Sequence, residues 1–250
     1  MIHSTAIVSS TARLGAGVEV GPFAVIEDGV VLGAGTRIEA HAMVRRGTRA
    51  GVNNVVHPFA VLGGEPQDRR HAGEDTTLEI GDSNVFREHV TVHRGTAHGG
   101  GVTRIGSHGL FMVGAHVAHD CQLGDAVILA NATLLGGHVT LGDHVVTGGG
   151  VAFAPFVRVG ERAFLAGGAM VERDVPPFVI AAGDRARVRA LNKVGLRRSG
   201  APEASVIRLE AAFVAIFRKG PRAVVAASLR DDDDPFVRAL AAAVLAIPPR

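Results

Sequence analysis

Phe111–Leu141 reads FMVGAHVAHDCQLGDAVILANATLLGGHVTL, and its apolar marks fall six apart, at Phe111, Val117, Leu123, Leu129, Leu135 and Leu141. Six is not a helical period, so His116 and His119, three residues apart, do not form the metal face of a helix. A period of six suits short strands that turn a corner every six residues and bury one residue per side. Three sides then make an eighteen-residue coil.

The same ruler runs outward in both directions. Downstream, after Thr147, it marks Phe153, Val159, Leu165 and Val171; upstream it marks Ile105, then Ile80, Phe86 and Val92, and then Ile2 through Leu62 without a slip. Such a prism hides its apolar marks along the axis, with successive coils about 4.8 Å apart. The 33 glycines suit corners that need unusual backbone angles. Two segments break the rhythm, Gly63–Glu79 (GGEPQDRRHAGEDTTLE) and His93–Arg104 (HRGTAHGGGVTR). Loops that leave a rigid repeat are where function is usually mounted.

After Val171 the pattern ends in ERDVPPFVIAAGDRA, whose two prolines are expected to stop the strands. The remainder reads as helical: Pro202–Lys219 has apolar positions at Val206, Leu209, Phe213 and Phe217 with Gly220 and Pro221 as the stop, and a last helix runs from Pro235 to about Ile247, capped by Asp234. The DDDD run at 231–234 thus reads as a helix N-terminal cluster rather than a metal site. The expected organisation is a β-prism domain over 1–184 and a helical domain over 185–250.

The chain is 250 residues long, 47% hydrophobic and 20% charged, enough to bury a large core. It offers no long apolar run and no signal-peptide pattern, so a cytoplasmic protein without a membrane segment is expected. Its one cysteine, Cys121, permits no internal disulfide and reads as a small packing residue. Net charge is +2, yet residues 185–250 hold 13 Arg/Lys against 6 Asp/Glu. The run Arg185, Arg187, Arg189, Lys193, Arg197 and Arg198 has no acid within it, which suits a nucleotide diphosphate or an acidic protein as well as a solvated face. Nucleic acid is not expected, because the chain lacks Trp, Tyr and any reading motif.

Positions eighteen apart lie over each other. His138 is therefore expected one coil above Asp120, and Gly137 above His119, so a histidine, a carboxylate and a glycine amide converge. A histidine fixed by a carboxylate is a usual general base, and a nearby amide can stabilise an oxyanion. His41, His57, His89, His108 and His144 carry no such company. A second column, His116, Leu134, Ala152 and Met170, places an apolar strip along the edge, ending about 14 Å from the site. Met170 there either limits the length of a bound acyl chain or packs against a neighbouring chain.

The ruler, AHVAHDC at 115–121, HRGT at 93–96, PQDRR at 66–70 and DVPPFVIAAGD at 174–184 together resemble the bacterial UDP-N-acetylglucosamine O-acyltransferases, over about residues 2–200. The resemblance implies a left-handed parallel β-helix assembled as a homotrimer. It implies transfer of a 3-hydroxyacyl group from acyl carrier protein to the 3-position of UDP-N-acetylglucosamine, the first step of lipid A synthesis, with no metal and no cofactor. It further implies His119 as general base, Asp120 as its partner and the Gly137 amide as oxyanion donor. His116, His138 and His93 match the sugar pocket, Gln67, Asp68 and Arg70 the first-loop contacts, and Asn192 and Arg198 the nucleotide contacts.

Some positions depart from the family's pattern: Arg70 stands where Lys is usual, Ala154–Pro155 where a His-Gln pair is common, and Val194 and Ser199 near the nucleotide contacts. Met170 stands where long-chain enzymes often have Gly, which implies a shorter hydroxyacyl donor. These departures leave open a modified acceptor such as a 3-amino sugar nucleotide, or a scaffold without catalysis. A metal-dependent lyase on the same prism, using His93, His116 and His119, is the reading from another class.

Overall fold

The computed structural model describes residues 1–247. The six-residue period becomes two-residue strands separated by corners, and in nearly every strand the second residue is the buried one, as with Val20 and Ile26. The strands stack into three parallel faces. The first runs from Ile7–Val8 to Met170–Val171, the second from Arg13–Leu14 to Arg158–Val159, and the third from Glu19–Val20 to Phe164–Leu165 and beyond. Partners are eighteen apart, as in Ile7 with Val25 and His116 with Leu134. This is the expected left-handed parallel β-helix followed by helices.

Where the ruler meets Thr147 instead of an aliphatic residue, the core stays satisfied because the Thr147 and Thr133 hydroxyls bond each other at 2.8 Å. The two rhythm breaks are loops in the stacking: Val61 pairs with Thr91, and Thr91 with His116, separations of 30 and 25 residues instead of 18.

The corners correct one expectation. Their left-handed backbone position is filled more often by His, Phe, Ala, Asn, Asp, Ser or Arg than by glycine among the described residues. Many glycines instead allow coils to approach: a Cβ on Gly33 would lie 2.4 Å from the Gly51 carbonyl carbon.

The prolines do not end the strands. Pro176 and Pro177 lie between strands, where no ladder amide is needed. Val179–Ala182 then extends the third face and turns back antiparallel onto Arg187–Leu191. Helices follow at Lys193–Arg198, Glu203–Val214, Arg222–Ser228 and Pro235–Ala246. The first and third were not foreseen. The first is short and capped by the Asn192 side chain, which accepts the Gly195 amide. Glu203–Val214 runs on through a π-helical turn at Ala215–Lys219, which turns Ile216 rather than Phe217 fully inward. Asp234 caps the last helix by accepting the Phe236 and Val237 amides. Phe178 packs on Phe236 and ties the helices to the prism. No helix among the described residues is long and apolar enough to cross a membrane.

The basic run meets acids that the fold supplies from elsewhere: Lys193 pairs with Glu210, Arg197 with Glu203, and Arg185 lies 3.8 Å from Glu172.

Candidate active site

His119 and Asp120 turn the corner between the first and second faces, after His116–Val117 and before Gln122–Leu123. Asp120 takes the left-handed corner position, with φ 61°, and its side chain is buried. Its Oδ2 lies 2.7 Å from His119 Nδ1 and 3.6 Å from His138 Nε2. One coil on, Gly137 packs flat against the His119 ring, since a Cβ there would sit 2.6 Å from Cε1 and 2.8 Å from Nε2. Its amide has no hydrogen-bond partner among the described residues. The His138 ring meets His119 edge-on and stacks on Phe156.

Burial would push the Asp120 carboxyl up, but hydrogen bonds from Thr96 and His119 hold it below its ordinary range, so it is ionised at neutral pH. His119 Nδ1–H donates to that carboxylate, which leaves Nε2 as the acceptor facing Gly137. The neighbouring imidazoles are kept neutral. Burial, with the charges of His93 and His119, pushes His116 down to about 4; burial also lowers His93 and His138. His116 Nδ1 bonds Thr91 Oγ1 at 2.8 Å, and the His93 ring, whose Nδ1 contacts the Glu65 carbonyl, meets it edge-on. Burial pushes the Cys121 thiol up to about 12, in keeping with a packing role.

The first loop reaches the same edge. Asp68 bonds Arg70 at 2.8 Å and His98 Nε2 at 3.1 Å, and the Arg70 guanidinium holds its carboxyl far below the usual range. Gln67 is exposed beside them. Outward along the first face, His116, Leu134, Ala152 and Met170 stack in register, with Leu134 and Met170 exposed. Ala154 and Pro155 follow Ala152–Phe153 on that run.

Asn192 and Arg198 do not join this cluster. The Asn192 side chain donates to the Arg162 carbonyl, on the corner between the second and third faces, and Ser199 is held there by Arg162. Within one chain they therefore occupy a different edge from His119. Val194 and Arg198 are exposed on the same short helix.

Thr96, Thr103 and His98 were not singled out from the sequence. Thr96 donates its amide and hydroxyl to the two Asp120 oxygens, at 2.9 and 2.7 Å, and Thr103 Oγ1 accepts the Asp120 amide. The second loop breaks the eighteen-residue register, so stacking arithmetic cannot place Thr96 beside Asp120. Among the described residues, the groups whose ligand atoms cluster closely enough for a metal are His119, Asp120 and His138, rather than the His93, His116 and His119 of the lyase reading.

Comparison with known proteins agrees with this arrangement. Residues 174–245 match the model for "Udp N-acetylglucosamine O-acyltransferase; Domain 2", and residues 11–46 the model for "Bacterial transferase hexapeptide (six repeats)". The chain is 48% identical to the acyl-(acyl-carrier-protein)-UDP-N-acetylglucosamine O-acyltransferase of Halorhodospira halophila, over 88% of this chain and 86% of that one. It is 44% identical to the same-named protein of Herminiimonas arsenicoxydans, over 87% and 83%. The UDP-N-acetylglucosamine acyltransferase structure from Campylobacter jejuni superposes with a TM-score of 0.94 at 35% identity, covering 99% of this chain and 97% of that one. With that identity over most of its length, and the His119–Asp120 corner in place, the chain belongs to the UDP-N-acetylglucosamine O-acyltransferase family.

Proposed function

We propose that this protein transfers a 3-hydroxyacyl group from acyl carrier protein to the 3-hydroxyl of UDP-N-acetylglucosamine, the first step of lipid A synthesis, in the cytoplasm. The observation that carries this reading is the 2.7 Å bond between His119 Nδ1 and a buried Asp120, with Gly137 against the other side of the ring. His119 Nε2 takes the proton of the acceptor hydroxyl while Asp120 steadies the imidazolium. The alkoxide oxygen bonds to the thioester carbonyl carbon, and the Gly137 N–H receives the oxyanion. Collapse breaks the C–S bond, and the thiolate leaves as the carrier thiol with the proton held on His119. The steps balance with the chain's own residues and the two substrates.

Gln67, Asp68 and Arg70 would meet the sugar nucleotide from the first loop, with His93, His116 and His138 as neutral walls. The strip ending at Met170 would seat the acyl chain, where each buried methylene is worth about 0.8 kcal/mol and a bulky floor penalises longer chains. Asn192 and Arg198, on another edge, would complete the site from a second copy, which supports a homotrimer with shared sites. On this reading the prism, 1–184, does the chemistry, and the helical part, 185–250, supplies the nucleotide contacts and part of a basic face for the acidic carrier.

The test is a mass-spectrometric assay with UDP-N-acetylglucosamine, its 3-amino analogue and a set of 3-hydroxyacyl carrier proteins. An O-acylated product favouring a donor shorter than the longest supports the reading in full. Transfer only to the 3-amino sugar would support the altered-acceptor reading, which the replacement of the His-Gln pair by Ala154–Pro155 favours. No transfer to either would contradict both.

A further inference from the structure

We infer that Thr96 is the positioning residue for the His119–Asp120 pair, and that His98 latches the first loop onto it; the inference rests on the acyl-transfer reading above. Thr96 is buried, at 1% exposure, and spends both its donors on one carboxylate: its amide on Oδ1 at 2.9 Å and its hydroxyl on Oδ2 at 2.7 Å. Oδ2 also faces His119 Nδ1 at 2.7 Å. With both oxygens held, the carboxylate cannot turn about its Cβ–Cγ bond without losing a partner.

The direction of the hydroxyl bond follows from its surroundings. Thr96 Oγ1 accepts the Gly99 amide at 3.0 Å, capping the Ala97–Gly99 turn, so its single hydrogen is left for Asp120. Asp120 in turn sits at φ 61°, a strained setting for a non-glycine residue, and its amide is tied to Thr103 Oγ1 in the strand Val102–Ile105 that follows the loop. The second loop, through Thr96, and the strand it leads into, through Thr103, thus fix both oxygens and the backbone of the residue that sets the His119 tautomer. The two Thr96 bonds also offset the burial that would otherwise favour a protonated Asp120.

His98 extends the connection. Its Nε2 lies 3.1 Å from Asp68 Oδ2 and 3.3 Å from Thr96 Oγ1. A continuous polar path therefore runs from Arg70 through Asp68, His98 and Thr96 to Asp120 and His119. The titratable and charged groups along it are Arg70 and Asp68 from the first loop, His98 from the second, and Asp120, His119 and His138 on the edge, with His93 and His116 beyond. The loop proposed to grip the acceptor and the base proposed to deprotonate it share one support.

The experiment compares Thr96→Val, Thr96→Ser and His98→Ala with the unaltered protein, in acyl transfer across pH and in site-resolved carbethoxylation of His119, which needs no turnover. Thr96→Val is expected to lower kcat about 10- to 100-fold, the worth of one hydrogen bond to a charged group, with KM for the sugar nucleotide within about twofold. The acid limb of its rate profile should move to higher pH, and carbethoxylation of His119 at a fixed pH should change with kcat, because a carboxylate with one donor fewer interacts more strongly with the group it faces. Thr96→Ser should restore both. His98→Ala should raise the sugar-nucleotide KM several-fold.

If Thr96→Val does not fold, Thr96→Ala is read against Thr96→Ser in the same way. Unchanged kcat and His119 modification in the variant lacking the hydroxyl, or a serine variant as impaired as valine, would overturn the positioning role. Changed His119 modification in a protein that shows no acyl transfer would overturn the acyl-transfer reading and leave the positioning role standing.

Discussion

All three edges of the prism carry histidines in the same left-handed corner setting, and two of these edges differ sharply in what surrounds the rings. On the edge between the third and first faces, Phe23, His41, Phe59 and His89 stack in an exposed column with ring centroids 5.1 to 5.3 Å apart, each at a φ near 60°. On the edge between the first and second faces, His138 and Phe156 stack in the same way at φ 63° and 67°. A histidine at a corner, or one stacked on a phenylalanine, therefore says nothing about catalysis here. The difference lies in what surrounds His119: a buried carboxylate at Nδ1, a glycine close against the ring, and loops that reach the edge. The first column is a stacking ladder, whereas the second edge gathers His119 and His138 around the buried Asp120 carboxylate.

That contrast can be broken or sharpened by substitution. Loss of the His119 imidazole itself aside, the largest effect expected is for Gly137→Ala. The added methyl would press on the His119 ring at 2.6 Å and displace the amide, costing about 10²- to 10³-fold in kcat by steady-state assay while the fold survives. Met170→Gly should come next, shifting donor preference toward longer chains by about 10- to 100-fold in relative kcat/KM across a donor series, from a change of roughly 1 to 3 kcal/mol at the floor of the strip.

His116 predicts a pH effect on stability. Its folded-state pKa of about 4 lies below the ordinary 6.5, so the unfolded chain takes up the proton first. Its contribution is fully present above the unfolded value and is lost as pH falls from about 6.5 toward 4. Urea midpoints at pH 7 and pH 5 should differ less for His116→Gln than for the unaltered protein. Smallest should be Phe59→Ala in the ladder, costing about 1 kcal/mol or more from its two ring contacts in a denaturant melt, with turnover unchanged.

Much of this was legible in the sequence because a repeat converts spacing into position. The ruler through Phe111 and Leu141 specified the faces, and the offset of eighteen placed His138 over Asp120 and Met170 in line with His116. Legibility failed where the offset was interrupted. Thr96 reaches Asp120 from a separation of 24, through a loop whose path no period describes. It failed too where local signals were overridden: Pro176 and Pro177 look like a stop, yet a corner asks nothing of their missing amides. The basic run from Arg185 to Arg198 has no acid within it, yet Glu172, Glu203 and Glu210 reach Arg185, Arg197 and Lys193 from outside it in sequence. Asn192 and Arg198 sit on another edge of the same chain, and a linear reading carries no information about which edges meet across copies.

The most direct measurement sets the two edges against each other: turnover of 3-hydroxyacyl carrier protein and UDP-N-acetylglucosamine by His119→Ala and His41→Ala, assayed side by side. Loss of about 10²- to 10⁴-fold at His119, the usual worth of a general base, with the unaltered rate at His41, is the predicted result. Comparable rates in the two variants would contradict the assignment of the base to the His119 edge.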